Sequence, residues 1–377
     1  MTRYQTGFLR RTIAVTLGAL ALSACGDDDA MPSEPEDPIT PMFGVNAFAY
    51  EGIGFDTLLD SGLTGSGVSV CVVDSGIDDT HPAFAHVVER GRLRWADFTD
   101  EDSSDPIDTN GHGTHVAGII AMNDVLTGGA PLVTLLIARV FTADGGTDNG
   151  TIADAVDWCR GQDADVISMS LGGLTLPAIE ALLAQDASVS EAAVQRALDD
   201  GIYVVAAAGN TEVTRDVATP SNVPGVIAVG ALNEDLATKA PFSQSGLNDG
   251  LVVEAREDPD KKPETSAPGV SITSAMAPDS TIGIDRCDGQ LYCALDGTSQ
   301  ATPFVTAALA LILEAVPELQ ADQSSAADPG DNILEMKQAL SESAASLPDQ
   351  TEPHDDGVGY GLVQAPALLD RLQSDSE

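Results

Sequence analysis

Aromatic residues make up only 4% of this 377-residue chain, and Lys plus Arg number 17 against 59 Asp plus Glu. A formal charge of −42 repels polyanions, so no nucleic-acid partner is expected. Cysteine is also scarce, at five, and no CxxC pair occurs. The five histidines do not cluster at ligand spacing beyond His112-x2-His115, which argues against a zinc site. No GxSxG elbow is present, which counts against a lipase or esterase, and no EF-hand spacing gives calcium a place. No internal repeat is evident. The apolar run at 13–22 is too short for a permanent membrane span.

What is present is a large supply of small and aliphatic residues. Apolar residues reach 43% and glycines number 36, which suits helices packed closely on a sheet. The acids are spread along the chain and not gathered in a tail. Two readings stay open: an acidic extracellular protein kept soluble by self-repulsion, or adaptation to high salt, where screening relieves that repulsion.

The amino terminus has the parts of a secretory signal: a basic segment ending in Arg10-Arg11, the apolar run, then small residues. Leu22-Ser23-Ala24-Cys25 resembles the lipobox of bacterial lipoproteins. That resemblance implies cleavage after residue 24, a lipid on Cys25 and a membrane attachment through it. The protein is thus expected to be exported, as a cell-envelope lipoprotein or on the extracellular surface. Arg10-Arg11-Thr12-Ile13 also fits a loose twin-arginine pattern. Residues 25–44, rich in Asp, Glu and Pro, read as a disordered tether, and 45–377 as one domain. In an oxidising compartment Cys287 and Cys293 form a plausible short disulfide. Cys71, inside an apolar strand, and Cys159, on a helix, read as buried small hydrophobes.

Along the domain, strand-like runs at 68–73, 133–140, 166–169, 203–207, 226–229 and 270–272 alternate with helical patterns at 151–160, 190–200 and 299–316. Thr151 and Ser190 read as N-caps, Gly161 and Gly201 as stops. Segments 333–347 and 365–372 form a closing helical layer. The fold class is therefore α/β: three layers, with a mainly parallel central sheet and helices on both faces. Ligands of such sheets bind beyond the carboxyl ends of the strands.

Four motifs stand there. Asp74 ends the first strand, where an acid needs hydrogen-bond partners. His112 opens a small apolar helix between two glycines, with His115 as a structural neighbour. Ser299 begins a buried helix after Asp296-Gly297-Thr298, with Pro303 placed within the first turn. Its helix dipole favours developing negative charge. Asn210 follows Ala207-Ala208-Gly209 at another strand end and offers an amide donor. His81 and His86 read as loop and surface residues, and His354 as solvated in an acidic loop.

Taken together, Asp74, His112 and Ser299 in that order, with Asn210 between the last two, resemble the subtilisin-like serine peptidases over residues 45–372. The segments HGTHVAG and GTSQATP carry most of that resemblance. It implies a serine endopeptidase with the triad Asp74–His112–Ser299 and an oxyanion site at Asn210 and the Ser299 N–H. It also implies a substrate edge at Ser170-Leu171-Gly172 and a facing pocket wall at Ala207-Ala208-Gly209. No acid falls within either wall, so an apolar preference is expected, although Asp216 lies close enough in sequence to leave a basic one open. Polypeptide substrates, a monomeric enzyme and no required cofactor are expected. The segment 357–365 resembles the family's closing segment and reads as the carboxyl end of the domain.

Several features depart from the family. Residues 1–44 read as signal and tether where members carry a folding prodomain, so that helper is absent or supplied separately. Gln300 stands where Met is most frequent. Residues 122–131 are short where many members bind calcium, so that site is not assigned; with so many carboxylates calcium elsewhere stays open, with no site given to it. An acidic insertion occupies 248–265. Two rivals are carried: a non-catalytic binding protein that retains the fold, and an enzyme that passes the acyl group to an amine.

Overall fold

A strand apolar at nearly every position must be covered on both faces. In the computed structural model, which describes residues 39–375 except 143–144, 172–188, 212–215, 251–254, 279, 283–286, 288 and 322–328, such runs form the middle of a seven-stranded parallel sheet. Its strands are β1 (Ser69–Asp74), β2 (Leu93–Asp97), β3 (Thr134–Arg139), β4 (Val166–Met169), β5 (Tyr203–Ala207), β6 (Ile227–Leu232) and β7 (Thr265–Pro268). Their spatial order is β2-β3-β1-β4-β5-β6-β7. The edges β2 and β7 escaped the sequence reading because LRWAD and TSAP are not continuous apolar runs.

Helices α1 (Ala47–Ile53), α2 (Phe55–Asp60), α3 (Ala85–Glu89), α4 (His112–Ala121), α5 (Asn149–Gly161), α6 (189–199), α7 (Thr298–Ala315), α8 (Pro329–Ser343) and α9 (Ala365–Asp375) surround the sheet. Register shows which face each takes. Cys71 pairs with Ile167 and Val72 with Ser168 across β1 and β4. Neighbouring side chains on a strand point to opposite faces. Cys71 meets Cys159 of α5, whereas Ser168 Oγ accepts a hydrogen bond from Thr306 Oγ1 of α7 at 3.0 Å. Hence α5 and α7 lie on opposite faces. The three-layer α/β architecture is the one the sequence pattern predicts.

Several local expectations change. Cys71 and Cys159 are buried but bonded to each other, with Cα atoms 5.9 Å apart, because β1 turns Cys71 onto the last turn of α5. Cys287 and Cys293 are also bridged. Residues 270–272 do not join the main sheet: Ser271 has a left-handed backbone (φ +57°) and donates its N–H to Asp296, so the strand starts at Ile272. That strand, β8 (Ile272–Ala275), pairs antiparallel with β9 (Tyr292–Leu295). The N-cap of α5 is Asp148, not Thr151; its carboxylate accepts from the N–H groups of Gly150 and Thr151. Pro303 sits past the first turn of α7, not within it. The segment around 358–363 lies beside β7, with Val363 N donating to Ser266 O.

Candidate active site

The carboxyl ends of β1, β4 and β5 and the starts of α4 and α7 converge on one cleft of about 470 Å³. Asp74 is the last residue of β1 and is fully buried. Its Oδ1 accepts from Ser75 N at 2.7 Å and from His112 Nδ1 at 2.8 Å. Nδ1 therefore carries the proton, and Nε2 is the ring nitrogen left for exchange. The imidazole is 17% exposed. Burial alone would lower the His112 pKa, but the charge and hydrogen bond of Asp74, helped by the charge of Asp108, outweigh it and hold it above the usual value of 6.5. Helix α4 can approach β1 so closely because residue 113 is Gly: a Cβ there would lie 2.3 Å from Gly76 O.

Asp108 was not anticipated. It is buried and holds the turn that precedes His112. Oδ1 accepts from Ser75 Oγ (2.9 Å), Asn110 N (3.2 Å) and Gly111 N (2.7 Å). Oδ2 accepts from Thr114 N (2.8 Å) and Thr114 Oγ1 (2.6 Å). Ser75 Oγ in turn accepts from Gly113 N at 2.8 Å. One carboxylate thus ties the residue after Asp74 to both sides of His112. The signal was available in Asp108-Thr109-Asn110-Gly111, since an Asp ahead of Asn-Gly is a strong turn and capping residue.

Ser299 is the second residue of α7, where backbone N–H groups have no intrahelical acceptor. Its hydroxyl donates to Ser170 O at 3.1 Å, and Ser170 Oγ donates to Ser299 O at 2.9 Å. Pro303 explains why that carbonyl is available: lacking an N–H, it cannot bond the oxygen four residues back. In this conformation the Ser299 hydroxyl is not hydrogen-bonded to His112, although both line the cleft. Asn210 lies beside them. Its Oδ1 accepts from Thr298 N (2.8 Å) and Thr298 Oγ1 (2.9 Å), which directs its amide nitrogen away from Thr298.

Ser170 and Leu171 line one side of the cleft and Ala207 and Gly209 the other. Ala208 is buried behind this wall, its N–H donating to Val229 O. Gly172 lies outside the described residues. Asp216 is not among the lining residues. Arg256, from the acidic insertion, binds both its carboxylate oxygens, at 2.6 and 2.7 Å, so Asp216 offers no free charge to a basic substrate side chain. Gln300 is buried.

Of the other histidines, His115 is fully buried, and its Nε2–H is shared between Ile272 O (3.0 Å) and Cys293 O (3.1 Å). Burial, with His112 nearby, pushes its pKa down to about 3. Contrary to the reading of loop and solvated residues, His81 and His354 are buried, their Nε2 atoms bonded to Leu291 O and Pro263 O. His86 is half-buried and reaches Pro131 O. Each is fixed by a carbonyl distant in sequence. Residues 122–131 form a tight turn in which Gly128 N donates to Met122 O. Its one carboxylate, Asp124, accepts from Tyr292 Oη at 2.9 Å, so these residues do not fit a calcium cage. Among the described residues no group of three His, Cys, Asp or Glu is arranged to hold a metal ion.

The profile of the Subtilase family matches residues 65–361, and the chain belongs to that family. It is similar to Subtilisin E of Bacillus subtilis (strain 168), at 33% identity over 311 residues that cover 81% of this chain and 71% of that protein. Subtilisin of Bacillus pumilus is 35% identical over 266 residues, covering 69% of this chain and 82% of the relative. The crystal structure of a cold adapted subtilisin-like serine proteinase matches with a TM-score of 0.58 and 27% identity, over 80% of this chain and 90% of that one. The chain is a serine-type endopeptidase acting on polypeptides.

Proposed function

We propose that this chain is an exported, lipid-anchored endopeptidase that cuts extended polypeptides through an acyl-enzyme on Ser299. The observation that carries the catalytic reading is the buried Asp74–His112 hydrogen bond facing the same cleft as Ser299. In the proposed reaction the Ser299 hydroxyl turns from Ser170 O to His112 Nε2 and gives up its proton as Oγ attacks the scissile carbonyl. Asp74 stabilises the imidazolium that forms. The developing oxyanion takes hydrogen bonds from Asn210 Nδ2 and Ser299 N, aided by the amino end of α7. His112 then protonates the leaving amine, and water repeats the sequence to release the acid. An extended substrate adds as a strand along Ser170-Leu171-Gly172.

The lipid anchor rests on residues 1–25 alone: basic segment, apolar run and Leu22-Ser23-Ala24-Cys25. Residues 25–44 are the proposed tether and 45–377 the catalytic domain, with the last tether residues already packed on the domain: Met42 N donates to Thr127 Oγ1 at 3.0 Å and Phe43 stacks on Tyr50. A fluorophosphonate probe tests the chemistry: the folded protein is expected to label, and Ser299→Ala to abolish labelling. Failure of the folded protein to label overturns the roles assigned here. Loss of a labelled lipid on Cys25→Ala tests the anchor. Product masses from a model peptide separate hydrolysis from transfer to an amine.

A further inference from the structure

We propose that Gln244 sets the selectivity of the pocket for the side chain before the cut, making it a short slot with a neutral amide floor. It accepts uncharged side chains of middle length, such as Leu and Met, over aromatic rings and over Lys or Arg. The proposal rests on the peptidase reading and deepens it.

The walls of the cleft converge on Ala218 and Gln244, both of which line it. Gln244 is only 4% exposed, so it forms a solid floor and not a mobile rim. Three bonds hold it. Its backbone N–H donates to Gly209 O at 3.0 Å, Oε1 accepts from Thr211 Oγ1 at 2.6 Å, and Nε2 donates to Asp216 O. The side chain therefore cannot swing aside to admit a longer group. It also presses on the pocket wall. Gly209 has φ +112°, and a Cβ there would lie 2.6 Å from Gln244 Oε1, so the wall tolerates no side chain while the glutamine is in place.

Charge decides the rest. Among the described residues that line the cleft, Asp74 is the one carboxylate, and His112 engages it. Asp216 touches the floor only through its carbonyl, while its carboxylate is held by Arg256 and by Leu247 N at 3.2 Å. A cation in the slot would lose its water and meet only neutral dipoles, which is unfavourable.

The test compares kcat/KM for peptides that differ only in the residue before the cut: Leu, Met, Phe and Lys. The wild type is expected to prefer Leu or Met to Phe by about tenfold or more, the discrimination typical of a pocket too short by a methylene or two. Gln244→Ser, which deepens the slot, raises the Phe-to-Leu ratio by about tenfold, and Gln244→Glu raises the Lys-to-Leu ratio by a similar factor. A wild type that prefers Phe or Lys overturns the proposal, whatever the variants do. So do unchanged ratios in both variants when fluorophosphonate labelling persists. Absence of labelling in the wild type points instead to failure of the peptidase reading.

Discussion

Ser170 and Ser299 hold each other by two reciprocal hydrogen bonds, each hydroxyl donating to the other residue's carbonyl at 2.9 and 3.1 Å. The pair ties the end of β4 to the start of α7, and Pro303 leaves the Ser299 carbonyl free to take part. Removing the Ser170 hydroxyl leaves a half-buried carbonyl without its donor. Ser170→Ala is expected to lower stability by about 1–3 kcal/mol and kcat by roughly tenfold, as Ser299 loses its registration. In Pro303→Ala the new N–H can reach the same carbonyl, so the Ser170→Ala loss should shrink in that background. A urea-unfolding double-mutant cycle reads this coupling; strict additivity of the two substitutions argues against the shared carbonyl.

Asp108 acts on His112 through both geometry and charge. Its negative charge contributes to holding the imidazole pKa above 6.5, so the neutral base needed for attack is lost as pH falls through that raised value. The acid limb of kcat/KM is expected above pH 6.5. Asp108→Asn removes the charge and turns an amide toward N–H donors. Activity should fall by about tenfold or more from misplacement of His112, and the acid limb should move to lower pH. A loss of activity with an unmoved limb leaves only a structural role.

The chemistry was legible in the sequence because each catalytic candidate closes a strand or opens a helix within a few residues of glycine. Asp74, His112, Asn210 and Ser299 all fall where alternating strands and helices put the ends of a parallel sheet. What escaped depends on partners far away in the chain. The Cys71–Cys159 bridge spans 88 residues and the Ser170–Ser299 pair 129, and no local pattern announces either. His354 looked solvated because its neighbours are acidic, yet Pro263 O lies 91 residues away and buries it. Edge strands β2 and β7 were missed for a related reason: TSAP owes its strand state to Ile227–Leu232 on one side and to residues near 362 on the other.

The disulfide between β1 and α5 sits three residues before Asp74 on the same strand. Closing a loop with a sequence separation of 88 is worth about 4–5 kcal/mol in the chain-entropy account. Cys71→Ala/Cys159→Ala is expected to lose stability of that order in urea, and dithiothreitol should weaken the wild type by that much more than the double variant, which keeps only the short Cys287–Cys293 bridge. Mass spectrometry of the unreduced protein checks the pairing directly; free thiols at both positions refute it.

His115 should make the fold sensitive to mild acid. Its pKa drops from 6.5 in the unfolded chain to about 3 in the folded one. Between those values the unfolded state binds a proton that the native state refuses, so stability falls as pH falls from 6.5 toward 3. The full effect is several kcal/mol. His115→Gln, which can still donate to the carbonyls of Ile272 and Cys293, should flatten the curve between pH 6.5 and 4.5 in urea titrations. An unchanged slope places the acid sensitivity elsewhere.

Salt should separate two populations of charge. The surface acids behind the net charge of −42 repel one another through water, and molar NaCl shrinks that repulsion. Lys262, Lys337 and Glu264 are buried, with both ammonium groups on Glu264 Oε1 at 2.7 and 2.6 Å, where screening is weak. The melting temperature of the wild type is expected to rise steadily from low to about 2 M NaCl as screening completes. Glu264→Gln, which leaves two buried ammonium groups without the carboxylate they share, should lie below it by a nearly constant margin, about 3 kcal/mol. Parallel rising curves support high-salt adaptation of the surface with a salt-independent internal cluster. A flat or falling wild-type curve removes the adaptation, and a gap that closes with salt shows that the lysine cluster is solvated.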